Sequence, residues 1–273
     1  MDLQKTLDEA LPKLQPHLPI FLASFAFFNL IHLVVVPLVG NVFFPTQWTT
    51  MGRRNRNNWA IHTCSQIHAI VILPLAVQCL WLPELDADRV FGWHDRSGTV
   101  QAVAAAYFLW DLMDAVWNFE DVGFVLHGLA CFAIYFLSFQ PFLAYYASRC
   151  LMWEASTFFL NIHWALDKMN LTGGALQLVN GVCLILTFFS VRLMYGGYTT
   201  TQSYQFFQTL YERRDDISTT ALVLISVGNV LLQGLNWFWL GKMVSALQKR
   251  FAPKSGKQLN GKVQNGVHKT KSD

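Results

Sequence analysis

About seven blocks of largely apolar residues recur along the chain, near 18–44, 58–82, 98–117, 121–138, 141–166, 174–196 and 218–245. Wound as a helix at ~1.5 Å per residue, a block of roughly 20 residues matches the hydrocarbon thickness of a bilayer. Backbone in lipid has to satisfy its own polar groups, which leaves only helices or a closed barrel. The runs are continuous and lack the alternation that a barrel strand shows. The chain is therefore expected to be all-α, a multi-pass membrane helix bundle of about seven spans. Only 14% of the 273 residues are charged, against about 25% in a soluble domain. So little lies between the blocks that no separate soluble domain is expected. The third and fourth spans are joined by Asn118-Phe119-Glu120-Asp121, and the fourth and fifth meet at Gln140-Pro141, so both junctions demand tight helical hairpins.

Residues 1–17 lack the basic n-region and small-residue cleavage site of a signal peptide. Leu3, Leu7, Leu11 and Leu14 recur at helical spacing among charges. Two readings fit: a short helix lying in the membrane interface, or a frayed polar tail. The span 18–44 is then an uncleaved N-terminal anchor. Basic residues cluster at Arg53, Arg54 and Arg56 and again from Lys249 and Arg250 onward. In the opposing loops Arg89, Arg96, Arg213 and Arg214 are offset by Glu84, Asp86, Asp88, Asp95, Glu212, Asp215 and Asp216. Basic excess marks the cytosol, which predicts a cytosolic C-terminus and a lumenal N-terminus. Residues 247–273 form a tail rich in Lys, Gly, Asn and Ser, a composition that predicts a disordered basic cytosolic segment. Its ending, "HKTKSD", places Lys271 third and Lys269 fifth from the end. That spacing resembles the dilysine retrieval signal of endoplasmic reticulum membrane proteins, which predicts residence in that membrane. All five cysteines fall inside spans without a CxxC pair, so they read as small buried hydrophobes and no metal site is expected.

Against this background the polar residues inside the spans stand out. "FLWDLMDAVW" carries Asp111 and Asp114, and one carboxylate near a bilayer centre costs roughly 2.5–3.5 kcal/mol even on a gentle scale. The second span places His62, Ser65, Gln66 and His68 along one flank, and the fourth carries a lone His127. Glu154, Thr157 and Asn161 form a stripe in the fifth, Gln177 and Asn180 sit in the sixth, and Asn229, Gln233 and Asn236 share a face of the seventh. With the expected topology most of these fall in the cytosolic half, which predicts a polar chamber opening toward the cytosolic leaflet. The bland readings stand beside this one. Asn and Gln stripes also serve as interhelical glue, and Glu154 with Arg149 fits a structural ion pair. Asp111, Asp114 and His127 are the catalytic candidates, with His127 as a base and Asp111 as its orienter.

The stretches "NNWAIHTCSQIHA", "YFLWDLMDAVW", "GFVLHGLACF", "EASTFFLNIHWALDK" and "LLQGLNWFWLGKM" occur in an order and spacing that resembles the TLC domain. That family covers ceramide synthases, translocon-associated membrane proteins and smaller lipid-homeostasis proteins of the endoplasmic reticulum. The resemblance runs over about 54–246 and implies a six-helix TLC bundle with the N-terminal span outside it. The synthase branch carries adjacent histidines in its fourth-helix motif, whereas here His127 is followed by Gly128. The resemblance is therefore closer to the small non-synthase proteins. It implies a protein that binds lipid or acyl chains and acts in lipid homeostasis, with membrane lipids as partners and acyl-CoA or a sphingoid base as further candidates. An acyl-CoA-dependent acyltransferase of the ceramide-synthase type and a translocation accessory protein are the alternatives. No cofactor and no nucleic acid are implied, and a homo-oligomer stays open.

Overall fold

A computed structural model describes residues 9–201, 212–213 and 217–251, and among these every regular element is a helix. Seven rods carry the architecture. They are α1 (Gln15–Phe43), α2 (Arg53–Val77), α3 (Asp95–Trp117), α4 (Val122–Leu137), α5 (144–168), α6 (Ala175–Thr199) and α7 (Thr219–Arg250). By length and hydropathy α1, α2, α6 and α7 can each cross a membrane, and α4 is a shorter apolar helix. The polar opening of α3 and the polar stripe of α5 keep those two rods below that standard. Their polar faces are tolerable because they point inward, where other helices cover them. The assembly is a helical membrane bundle.

The innermost rod is α3. Its Ala102, Ala104, Ala105 and Ala106 are fully buried, and such small side chains let neighbouring backbones approach. On α1 one edge, Phe21, Phe28 and Ile31, is buried, while Leu30, Leu33, Leu38 and Phe43 are exposed. That exposed apolar face suits a hydrocarbon solvent. Phe28 inserts among the rings of His68, Tyr107 and Trp110, which fastens α1 to α2 and α3. Pro37 has no N–H to donate within the helix, and the wide π turn Ile31–Val35 directly before it absorbs the disruption. The segment before α1 also packs on the bundle. Leu11 and Leu14 are buried, and the Lys13 amide donates to the Phe139 carbonyl at 3.1 Å. Leu3 and Leu7 lie outside the described residues, as does the tail with Lys269 and Lys271.

Both hairpins form where the spacing required them. Asp121 caps α4 by accepting from the Gly123 amide at 2.7 Å, an N-cap arrangement worth about 1 kcal/mol. Two rods are irregular in their middles. α5 consists of Ala144–Cys150, a single 3-10 turn Leu151–Trp153, and Glu154–Lys168. α6 widens into a π turn over Phe189–Tyr195.

The end of the bundle holding residues 83–94 and 138–143 is capped by a small apolar cluster of Val90, Phe142, Leu143 and Ala221. Leu143 enters α5 with φ 62°, ψ 24°, a left-handed conformation that costs a leucine roughly 1–2 kcal/mol. Its amide donates to the Val90 carbonyl at 2.7 Å, which holds the loop 88–93 against the start of α5. Asp88 organises that loop by accepting from the Val90 and Phe91 amides, each at 3.0 Å, and from Arg213 at 2.8 Å. Burial works against the charged form of Asp88, but the Arg213 and amide hydrogen bonds together outweigh it. They hold the carboxyl below its usual 3.8. A depressed folded-state value means the contribution is present above the unfolded pKa and is lost as pH falls through the folded one. Amides Val90 and Phe91, measured by hydrogen exchange corrected for intrinsic rate, should lose protection as pH drops below about 4. Asp88→Asn should show weaker protection without that pH dependence.

Candidate functional site

Two cavities lie inside the bundle and meet at a narrow waist. The first, about 350 Å³, is lined mainly by apolar and aromatic side chains, among them Tyr135, Phe142, Leu143, Tyr146, Leu222 and Ile225. The second, about 520 Å³, has a mainly apolar surface set with more polar side chains than the first, and it reaches toward the end where α2 and α4 begin, at Asn58, Asn118, Glu120 and Lys242. Phe108, His127, Glu154 and Arg192 line both cavities and so form the waist. These volumes fall in or near the ~300–1,000 Å³ of small-molecule sites.

The waist is built by the two irregular turns. Glu154 begins the regular part of α5 directly after the 3-10 turn, and Arg192 sits in the π turn of α6. Mid-helix turns of both kinds are frequent at functional positions because they re-aim side chains that a regular helix would present elsewhere. Both residues are buried, at 7% and 6% exposure. Arg192 donates from Nε to Ser156 Oγ at 2.9 Å, from Nη2 to Thr157 Oγ1 at 3.2 Å and from Nη1 to Asn236 Oδ1 at 3.3 Å. A guanidinium has five N–H donors, so two are left after these three. Glu154 Oε1 lies 3.8 Å from Arg192 Nη2, and Oε2 lies 3.7 Å from His68 Nδ1. Both separations exceed a hydrogen bond. The charges compensate each other while keeping donor and acceptor capacity at the junction of the cavities. His68 is fully buried and stacked on Tyr107 at 3.7 Å between centroids, so it supports Glu154 from behind.

The expectation that Glu154 pairs with Arg149 is overturned. Arg149 donates to the Tyr145 and Leu80 carbonyls and pairs with Asp86 at 3.3 Å. Residues five apart on a helix sit on divergent flanks, so the arginine is drawn to the loop and Glu154 turns inward to α6. Arg192 was missed by sequence reasoning because it falls near the expected end of the 174–196 block, where a basic residue reads as an interfacial anchor. The signal available was an arginine followed by "LMYGGYTT", which lets the helix continue.

The remaining candidates divide into wall and brace. His62 Nδ1 donates to Asn161 Oδ1 at 2.7 Å, and Asn161 Nδ2 donates to Ser65 Oγ at 3.1 Å. His62 also stacks on Trp164 at 3.9 Å. These four residues make one wall of the polar chamber. Asp111 lines the same chamber without a hydrogen bond or ion pair among the described residues. Asp114 is occupied: it accepts from Asn118 at 2.9 Å and from Asn57 at 3.3 Å, and Asn57 accepts from His32 at 2.9 Å. His32, a second residue missed in the sequence, thereby ties α1 to α2 and α3. Asn229 lines the apolar cavity, whereas Gln233 reaches neither. Gln177 accepts from the Gly173 amide and Asn180 donates to the Phe159 carbonyl, so both serve helix packing.

His127 faces both cavities, but its nitrogens contact only Cys131 Sγ, at 3.8 and 3.9 Å, with Trp239 and Phe108 edge-on. No hydrogen bond joins it to Asp111 or Asp114 among the described residues. Its neighbour Gly128 packs on α3, where a Cβ would stand 3.1 Å from the Leu112 Cα. A side chain at this position would require α3 and α4 to give by a few tenths of an ångström.

The sequence model of the TLC domain matches residues 58–245. The chain is similar to an uncharacterized TLC domain-containing protein of Schizosaccharomyces pombe, with 34% identity over 88% of this chain and 82% of that one. It is also similar to Topoisomerase I damage affected protein 4 of Saccharomyces cerevisiae, with 29% identity over 89% of each chain. TLC domain-containing protein 4 of Homo sapiens is 22% identical over 80% of this chain and 85% of its own. No solved structure matches the chain.

Removing one partner of a buried ion pair strands the other charge and costs about 3–5 kcal/mol, while an apolar replacement of both is often neutral. Glu154→Leu and Arg192→Met alone should each lower thermal stability strongly, and the double variant should recover most of the loss. Equal destabilisation in the double variant would show that the two charges are not coupled.

Proposed function

The chain belongs to the TLC domain family, and from that premise we propose that it binds a single-chain or acyl lipid inside the bundle and acts in lipid homeostasis. One observation carries the reading: an apolar cavity and a second cavity set with polar side chains meet at a charged waist, Glu154 and Arg192, which holds unused hydrogen-bonding capacity. An amphiphile needs those three environments in that order. Its chain occupies the apolar cavity, its first polar atoms meet the guanidinium and carboxylate, and its head lies among Asp111, His62 and Asn161.

The polar mouth lies at the end of the bundle that carries Arg54, paired with Glu120 at 2.7 Å, and Lys242. Basic excess at this end supports placing it at the cytosolic leaflet, with the N-terminus lumenal. Residence in the endoplasmic reticulum belongs to the same proposal. Acyl transfer from an acyl-CoA finds less support, because among the described residues no carboxylate hydrogen-bonds the imidazole of His127, and Gly128 takes the place of a second histidine.

Native mass spectrometry of the protein extracted from membranes tests the proposal. The unaltered protein should retain a lipid with an acyl chain. Ile225→Trp, which projects an indole into the apolar cavity, should lose it at modest cost in stability, about 1–3 kcal/mol for overpacking. Lipid-free protein, or equal retention by the variant, contradicts the reading.

A further inference from the structure

The far wall of the apolar cavity is unusual in one respect. Among the described residues only Leu143 and Asn170 have positive φ without being glycine. Asparagine tolerates that region, whereas leucine does not. A glycine or asparagine at 143 would serve the backbone better, so the leucine side chain is what the position keeps. That side chain is 7% exposed and lines the cavity. It is also held firmly, since its amide donates to Val90 and its carbonyl accepts from the Ala147 amide at 2.9 Å. Backbone strain retained at a cavity wall is a pointer to function.

The cavity has a definite depth. His127 at the waist and Ser138 at the far end both line it. Along α4 the eleven helical steps from His127 to Ser138 rise ~16 Å, the scale of a long unbranched acyl chain. Behind Leu143 the wall is backed by a chain of contacts: Phe142 packs on Phe91, Arg213 covers Phe91 at 4.0 Å, and Asp88 pairs with Arg213.

Building on the proposed lipid binding, we infer that Leu143 is the stop against which the methyl end of a straight saturated acyl chain abuts, so that this residue sets the longest chain the protein accepts. Each methylene that fits adds to affinity until the chain reaches Leu143, and the next one has nowhere to go. Ala147 lines the cavity nearer the waist and is 3% exposed. A larger side chain there shortens the space without touching the stop.

The test is a binding series of saturated fatty acids, from octanoic to behenic acid, on the purified full chain by native mass spectrometry. Affinity should rise roughly fourfold per methylene and then break at one length. Leu143→Gly, which suits the left-handed backbone, should move the break to longer chains. Ala147→Leu should move it to shorter ones while sparing octanoic acid. An unmoved break in both variants, with binding intact, overturns the role of Leu143 and leaves the lipid-binding reading standing. Absence of fatty-acid binding by the unaltered protein removes both.

Discussion

A carboxylate and a guanidinium that hydrocarbon cannot solvate sit face to face in the middle of this bundle, and much of the interior is arranged around them. Each charge alone would cost roughly 2.5–3.5 kcal/mol at the bilayer centre, and mutual attraction repays that only when the remaining donors are also satisfied. Ser156, Thr157 and Asn236 supply three acceptors to Arg192, and His68 backs Glu154. Two helices give up regular winding so that these side chains meet. Close apolar packing would stabilise the bundle as well or better, so the pair is best understood through the two cavities that it joins.

The acidic residues of α3 have different duties despite their three-residue spacing. Asp114 is consumed by Asn57 and Asn118, and through Asn57 it reaches His32 on α1. It is a brace that locates the N-terminal rod. Asp111, three residues earlier and so roughly 60° from Asp114 around the helix, lines the chamber unengaged among the described residues. His127 lies at the waist but apart from both.

The seven rods were legible because each carries an apolar run, even where α3 and α5 are interrupted by polar residues, and the hairpins because Asn118–Asp121 and Gln140-Pro141 leave no slack. Polar residues that converge, such as His62, Ser65 and Asn161, were visible as helical stripes. What could not be read is anything that depends on a departure from regular winding. The π turn around Arg192 and the 3-10 turn before Glu154 have no periodic signature, so the sequence offers Arg149 of the same helix, and not Arg192, as an ion-pair partner for Glu154. His32 lay in a block expected to stand outside the bundle. The division into two cavities depends on which side chains stop short of each other, a property of packing that no stripe of residue types records.

Cryo-electron microscopy of the protein in lipid nanodiscs addresses the central claim most directly, because it shows what occupies the interior. Expected is continuous tubular density from the Glu154–Arg192 waist toward Leu143, with its polar end within hydrogen-bond distance of the guanidinium. An interior holding only water-sized density at the waist, with lipid confined to the outer faces of α1 and α6, would contradict it.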